Sequence, residues 1–294
     1  MILDTIRDRL SHTVKELLDQ IDSQNPSDHD YLIGAGGYVP PDADLLEDAV
    51  TALAMGKNIL LKGPTGAGKT KFAETLSYLF KKPLHMVNCS VDLDAESLVG
   101  GRYIDYKENR QVIEFSPGPV IKAMEHGHFL YIDEVNMAKP ETLPLINGVL
   151  DYRRMITNPY TGDVVKAKSG FGVIAAINEG YIGTVPLNEA LMNRFIVIDV
   201  PYLRGEELRT LIRTNSLLKD ESIIRLYVQL SEDLILAASQ GKVSEEAASI
   251  RALLDACDLS TVIPPLRAVK RAIADKMEEE KEREFIQNLA ETLF

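Results

Sequence analysis

Eight consecutive residues, Gly63-Pro64-Thr65-Gly66-Ala67-Gly68-Lys69-Thr70, constrain this chain more than any others. They fit the spacing G-x-x-x-x-G-K-[ST], and the apolar run Ile59-Leu60-Leu61 comes just before them. A short apolar run reads as a buried strand, and residues 69–80 carry a helical pattern. The glycines let the backbone curl until its N–H groups face one concave point, where phosphate oxygens fit. The N-terminus of the following helix adds a partial positive charge there. A lysine at position 69 reaches β- and γ-phosphates, and a hydroxyl at position 70 ligates magnesium. The alternative, a glycine-rich turn with a chance lysine, does not account for the strand and helix on either side.

The bulk composition narrows the classes. A chain of 294 residues has room for one large domain or two, and 45% apolar residues support a real core. The net charge is -12, and the basic residues cluster no further than the pairs Lys81-Lys82 and Arg153-Arg154. That balance makes nucleic acid an unlikely main partner, although a local basic pore in an oligomer stays compatible with it. The two cysteines, Cys89 and Cys257, form no C-x-x-C and read as reduced core thiols of a cytoplasmic protein. No signal peptide is evident, and no apolar run approaches the roughly 18 residues of a membrane span.

Residues 1–30 read as an amphipathic helix and a linker. Ile2, Ile6, Leu10, Val14, Leu17 and Ile21 have helical spacing, and the polar stretch Asp22–Asp30 contains Pro26. Gly34-Ala35-Gly36-Gly37 reads as a loop and is weak as a nucleotide motif, because no strand precedes it and Pro40-Pro41 follow. Strands are expected at Ile59–Lys62, Leu84–Asn88, Phe129–Asp133, Val173–Asn178 and Ile196–Val200. Most are apolar without polar alternation, which suits central parallel strands covered on both faces. The expected class is α/β: a three-layer domain with a central parallel sheet over 31–203, then a smaller all-helical lid domain over 204–294. Two hairpins interrupt the scheme, Tyr103–Asp105 with Gln111–Phe115 around Lys107-Glu108-Asn109-Arg110, and Met155–Ile156 with Val164–Lys168. One long last helix is expected to open at Pro264-Pro265 and to end in the charged run Glu278–Glu284, a solvated face.

Other residues must say what happens to a bound nucleotide. Phe129-Leu130-Tyr131-Ile132-Asp133-Glu134 is an apolar strand ending in two carboxylates. Beside a phosphate-binding loop, Asp133 can hold magnesium through water, and Glu134 can orient and deprotonate an attacking water. Alone, the pair would read equally well as an acidic loop start. Ala175-Ala176-Ile177-Asn178 ends another strand in an amide; a strand lying between the other two would put Asn178 near the γ-phosphate. Arg194, just before the last strand, has the fixed charge and forked geometry to reach a neighbouring subunit's phosphate, and taken alone is a surface arginine. His126-Gly127-His128 has the i, i+2 spacing of one strand face. It lacks an obvious third metal ligand, so it reads as a loop entering a strand. Cys89 reads as a small buried residue rather than a reactive thiol.

Together these stretches resemble the AAA+ ATPases, and more narrowly the MoxR group with its relatives NorQ, CbbQ and the gas-vesicle protein GvpN, dynein-related in type. The resemblance covers roughly residues 40–275. It is carried by residues 60–70, Asp94-Ala95-Glu96-Ser97-Leu98-Val99-Gly100-Gly101, Phe115-Ser116-Pro117-Gly118-Pro119, Ile132-Asp133-Glu134-Val135-Asn136 and Leu150-Asp151-Tyr152-Arg153-Arg154. It implies that residues 63–70 bind ATP as Walker A and that Thr70 and Asp133 hold Mg2+. Asp133 and Glu134 would form Walker B, Asn178 sensor 1 and Arg194 the arginine finger, while Arg251 in Ser249–Leu254 would form sensor 2. The two hairpins would face a central pore or a partner. The implied activity is Mg-dependent ATP hydrolysis by a homo-oligomeric ring, a hexamer, that remodels, activates or helps metal-load a partner complex. Such a partner often carries a von Willebrand factor A domain. Alternatives are a nucleotide-gated assembly scaffold with little turnover, a gas-vesicle assembly ATPase, and a motor on nucleic acid, which the acidic balance disfavours. Residues 1–30 fall outside the resemblance and could dock on their own domain, a neighbour or a partner.

Overall fold

The computed structural model describes residues 7, 8, 10–21, 28–89, 93–107, 110–178, 187 and 189–294. Its strands are β1 (Asn58–Gly63), β2 (Leu84–Asn88), β3 (Gly100–Lys107), β4 (Arg110–Pro117), β5 (Phe129–Asp133), β6 (Met155–Thr157), β7 (Val164–Lys166), β8 (Gly172–Asn178) and β9 (Phe195–Asp199). Five of them form one sheet in the order β2-β5-β8-β1-β9, with every neighbouring pair parallel.

Burial explains why the inner strands β5 and β8 are apolar along most of their length. Successive strand residues point to opposite faces. Ile59 and Leu61 enter one core while Leu60 enters the other. Both faces are covered, so a polar alternation would bury unpaired polar groups. One face packs against α1 (His12–Ile21), α2 (Ala43–Ala54) and α3 (Lys69–Leu79), through Leu18, Leu46, Phe72 and Leu76 among others. The other packs against α4 (Ala95–Val99), α5 (Pro119–His126) and α6 (Leu143–Leu150), through Leu98, Ile121, Met124 and Ile146. Each such side chain contributes about 1.5–3 kcal/mol by leaving water. The fold is therefore a three-layer α/β unit.

The short α7 (Glu189–Met192) leads into β9, and the remaining elements are helical: α8 (Gly205–Asn215), α9 (Glu221–Ser239), α10 (Ile250–Leu259), α11 (Pro265–Ala272) and α12 (Glu280–Leu293). They enclose their own core, which includes Leu208, Ile224, Tyr227, Leu253 and Ile286. The single long helix expected after Pro264 is in fact two. Ile273 takes φ -120 and ψ -65, a tight turn Ala274–Lys276 follows, and α12 starts after Glu279. Ala272, Ile273 and Ala274 are all buried. An α-helix turns about 100° per residue, so three successive residues cannot share one buried face, and the chain breaks to keep them inside. The charged run thus opens α12 rather than closing the previous helix. Glu280 and Glu282 lie in its first turn, where the helix dipole favours them.

Both hairpins are present as separate two-stranded antiparallel sheets, β3–β4 and β6–β7. The turn residues Glu108 and Asn109 lie outside the described residues. Tyr103, Ile104, Tyr106 and Ile113 are exposed on β3–β4. At the other end of the chain, Ile2, Ile6 and residues 22–27 of the linker lie outside the described residues. The described part of the N-terminal helix docks on its own chain, through Leu10, Val14 and Leu18 in the core shared with α2 and α3.

His126 and His128 do not share a strand face. His126 ends α5, Gly127 caps it at φ 71, and β5 begins after His128. His85 Nε2 lies 3.0 Å from His128 Nδ1, and the His29 ring lies 4.7 Å from that of His126 and 5.4 Å from that of His128. The cluster fastens the end of the linker to the N-terminal ends of β2 and β5. Among the described residues no group of three or more His, Cys, Asp or Glu is arranged to hold a metal ion. Burial lowers His85 and His128 from 6.5 to about 4, helped by the surrounding imidazoles, by Lys122 at His85 and by Lys82 at His128. A lowered imidazole pKa means that the folded chain resists a proton that the unfolded chain accepts. Stability from these groups is therefore complete above pH 6.5 and is lost as the pH falls toward 4. Thermal melting at pH 7 and pH 5 checks this: the midpoint of the wild type should drop on acidification, and that of His128→Gln should drop by several degrees less.

Candidate functional site

The site is assembled by strand order. β8 lies between β5 and β1, with Gly63 opposite Asn178 and Ile132 opposite Ala175. The C-terminal ends of three adjacent strands therefore carry the glycine loop, Asp133 and Asn178 at one edge. Ligands of open parallel sheets bind at this edge.

The loop conformation depends on glycine at two positions. Gly68, at φ 93, sits in the left-handed region and caps α3, while Gly66 takes φ 78. A Cβ on Gly66 would also meet Ser249 Cα at 2.8 Å. The loop tip therefore lies directly against the residue that precedes α10. Lys69 is buried, and its ammonium donates to Gly63 O at 2.9 Å and Pro64 O at 2.8 Å. Thr70 Oγ1 lies 3.4 Å from Asp133 Oδ2 and 3.3 Å from the Tyr131 hydroxyl. Burial, with the nearby Asp133 next in size, pushes the Tyr131 phenol well above its ordinary pKa.

Glu134 takes φ 51 and ψ 43, a left-handed conformation that costs a side-chain-bearing residue about 1–2 kcal/mol. Hydrogen bonds offset that cost: Glu134 N–H donates to Asp133 Oδ1 at 3.0 Å, and Asn178 Nδ2 donates to Glu134 Oε1 at 3.0 Å. The two strand-end groups singled out by sequence are thus in direct contact. Behind them, Cys89 N–H donates to Asp133 O at 2.9 Å. Burial, then the charges of Asp133 and Glu134, push the Cys89 thiol up to about 12, so it stays protonated and inert at neutral pH.

A cavity of about 560 Å³ joins these groups. Residues 65–71 line it together with Asp133, Glu134 and Asn178. The helical unit closes it with Leu211, Asn215, Ser249, Ile250, Arg251 and Leu254. Arg251 thus reaches the cavity from α10. Gly63 and Pro64 meet Lys69 through their carbonyls. Arg194 is not part of the lining; it lies at the start of β9, where its guanidinium donates to Ala190 O. Asn188, in the same stretch of sequence, lies outside the described residues.

Sequence reasoning placed Gly37 in a weak motif and passed over Tyr38 and Val39. Gly37, Tyr38 and Val39 line the cavity, although the glycine run before them has no strand in front of it. The segment reaches the site because it lies along α3: Gly34 N–H donates to Ser77 Oγ at 2.9 Å, Tyr38 N–H donates to Thr75 Oγ1 at 3.0 Å, and Tyr38 stacks on Phe72 at 4.5 Å. No local motif marks those contacts. Leu203 and Leu211 likewise look like ordinary core positions in sequence.

Residues 58–195 match the model of the AAA domain, dynein-related subfamily. The chain thus contains an AAA domain of this type. It is 64% identical over 263 residues to "Uncharacterized protein YojN" of Bacillus subtilis (strain 168), covering 90% of this chain and 86% of that protein. It is 60% identical over 258 residues to an uncharacterized protein of Staphylococcus epidermidis, covering 87% of this chain and 98% of the relative. The crystal structure of NtrX from Brucella abortus in complex with ADP aligns with TM-score 0.41 and 18% identity over 85% of this chain and 48% of its own. The matched domain spans the glycine loop, Asp133 and Asn178, and it supports nucleotide binding. No helix among the described residues is long and apolar enough to cross a membrane.

The Gly66 contact is testable. Gly66→Ala places a Cβ against Ser249 in a left-handed conformation. ADP affinity measured by calorimetry should fall at least tenfold, as about 1.4 kcal/mol of strain requires. Unchanged affinity would mean that the loop and α10 separate freely.

Proposed function

We propose that this AAA protein is a magnesium-dependent ATPase that works as a homo-oligomeric ring, a hexamer, and remodels or activates a partner protein complex. The observation carrying the reading is the convergence of Lys69, Thr70, Asp133, Glu134 and Asn178 on one cavity that α10 closes with Arg251. In this reading the N–H groups of residues 63–70 and the Lys69 ammonium hold the phosphates of ATP. Val39, Leu203, Leu211 and Leu254 supply apolar contact for the base.

The donors at the cavity suit a hard cation. Thr70 Oγ1 and Asp133 Oδ2 are oxygen ligands 3.4 Å apart, the chemistry that Mg2+ selects. Thr70 would hold the ion directly and Asp133 through water. When bound, Mg2+ neutralises charge on the phosphate oxygens.

The protein's own groups do the rest. Glu134 accepts the proton of a water whose oxygen bonds to the γ-phosphorus, while the bond from that phosphorus to the β,γ-bridging oxygen breaks. ADP and inorganic phosphate result. Asn178 fixes the Glu134 carboxylate through Nδ2, so the base is oriented before the water arrives. Arg251 places positive charge at the cavity from its own subunit. Arg194 lies outside its own cavity, which suits the reading that it reaches a neighbour's γ-phosphate in an active unit of at least two chains.

For the partner, the exposed Tyr103, Ile104, Tyr106 and Ile113 on the β3–β4 hairpin and the net charge of -12 favour a protein over nucleic acid. A von Willebrand factor A domain protein is the partner class we propose, and the two buried free thiols suit a cytoplasmic setting.

Steady-state ATPase activity tests the reading. Glu134→Gln should bind ATP like the wild type and hydrolyse it about 10²–10⁴-fold more slowly. Specific activity of the wild type should rise with protein concentration. Arg194→Ala and Lys69→Ala should each be inactive, and mixing them should restore turnover, because a Lys69→Ala subunit still presents Arg194 to its neighbour. Activity per chain that is flat on dilution, with no rescue on mixing, would sink the shared site.

A further inference from the structure

Tyr202 stands where the chain leaves β9 and enters the helical unit, and its ring packs against the cores on both sides of that junction. Its hydroxyl lies 3.1 Å from Thr65 O and 3.3 Å from Glu245 O. Thr65 belongs to the glycine loop. Glu245 opens the turn Glu245–Ala248, which leads through Ser249 into α10 and Arg251. A phenol has one proton, and both partners are carbonyl oxygens, so it donates to only one of them at a time. Burial, with the Glu245 charge second, pushes its pKa up and keeps it a donor.

The Thr65 carbonyl is one half of a peptide plane whose other half is the Gly66 N–H. A trans peptide points these groups in opposite directions. A donor that fixes the carbonyl therefore also fixes the line along which the N–H points, and both Thr65 and Gly66 line the cavity. Ser249 abuts the same glycine, where a Cβ would lie 2.8 Å from Ser249 Cα. One peptide of the loop is thus held from the hinge by Tyr202 and from the helical unit by Ser249.

We infer that Tyr202 is a positioning residue that sets the Thr65–Gly66 peptide for phosphate binding and ties that setting to the position of the helical unit. The inference rests on the nucleotide-binding reading above. Its ligand class is a nucleoside di- or triphosphate, since adenosine offers nothing to the Gly66 N–H. Coupling of this kind is reciprocal: phosphate on the loop biases the helical unit, and the helical unit biases phosphate affinity.

The test uses the full chain and Tyr202→Phe, which keeps the ring that both cores pack against. ADP is titrated by calorimetry and adenosine by ligand-observed NMR. The variant should bind ADP about five- to tenfold more weakly, the factor one hydrogen bond of ordinary net strength supplies, and should bind adenosine unchanged. A second readout is the distance between spin labels on Asp44→Cys of α2 and Glu291→Cys of α12, both exposed. ADP should shift that distance in the wild-type background and shift it less with Tyr202→Phe. Equal ADP affinity, an equal loss for ADP and adenosine, or an identical label shift overturns the inference. A wild type that binds no ADP overturns the nucleotide reading instead.

Discussion

Parallel pairing of β8 between β5 and β1 brings three strand ends level, and the rest of the site hangs on that register. Gly63 faces Asn178 across one pair, and Ile132 faces Ala175 across the other. Because side chains alternate along each strand, a slip of one residue would turn Asn178 away from Glu134 and exchange the side chains that enter the two cores. The two cores that clamp the sheet hold the register, since Ile174 and Ala176 enter one and Val173 and Ala175 the other.

The second organising feature is the junction after β9. Val39 belongs to the core of the helical unit, while its neighbour Tyr38 belongs to the core of the α/β unit. Tyr202 touches both cores. The cavity is walled by these crossing segments, so its shape follows the relative position of two separately packed bodies.

Much of the α/β fold was legible in sequence because its strands are unusually uniform. The bounds of β2 and β5 agree with the expected strands to the residue, and β5, buried along four of its five positions, shows its length directly in composition. The break after Ala272 was not legible. The pattern through residues 265–284 is compatible with continuous helix, and only the need to bury Ile273 and Ala274 beside Ala272 interrupts it. The histidines read as a loop entering a strand, and that reading holds, but their partners were not legible. Gly127 ends a helix between them, and the cluster they join includes His29 and His85, from distant parts of the chain.

The sequence by itself determined the glycine loop at residues 63–70 and the carboxylate pair at Asp133 and Glu134, because spacing and strand context are local. It also marked Asn178 as a strand-end amide. Only the tertiary structure decided that Asn178 grips Glu134, that Gly37–Val39 wall the cavity, and that Tyr202 stands between the loop and the helical unit. The last two of these join residues far apart in the chain through backbone carbonyl oxygens and N–H groups. Every residue carries such groups, so no side-chain pattern announces which of them will meet.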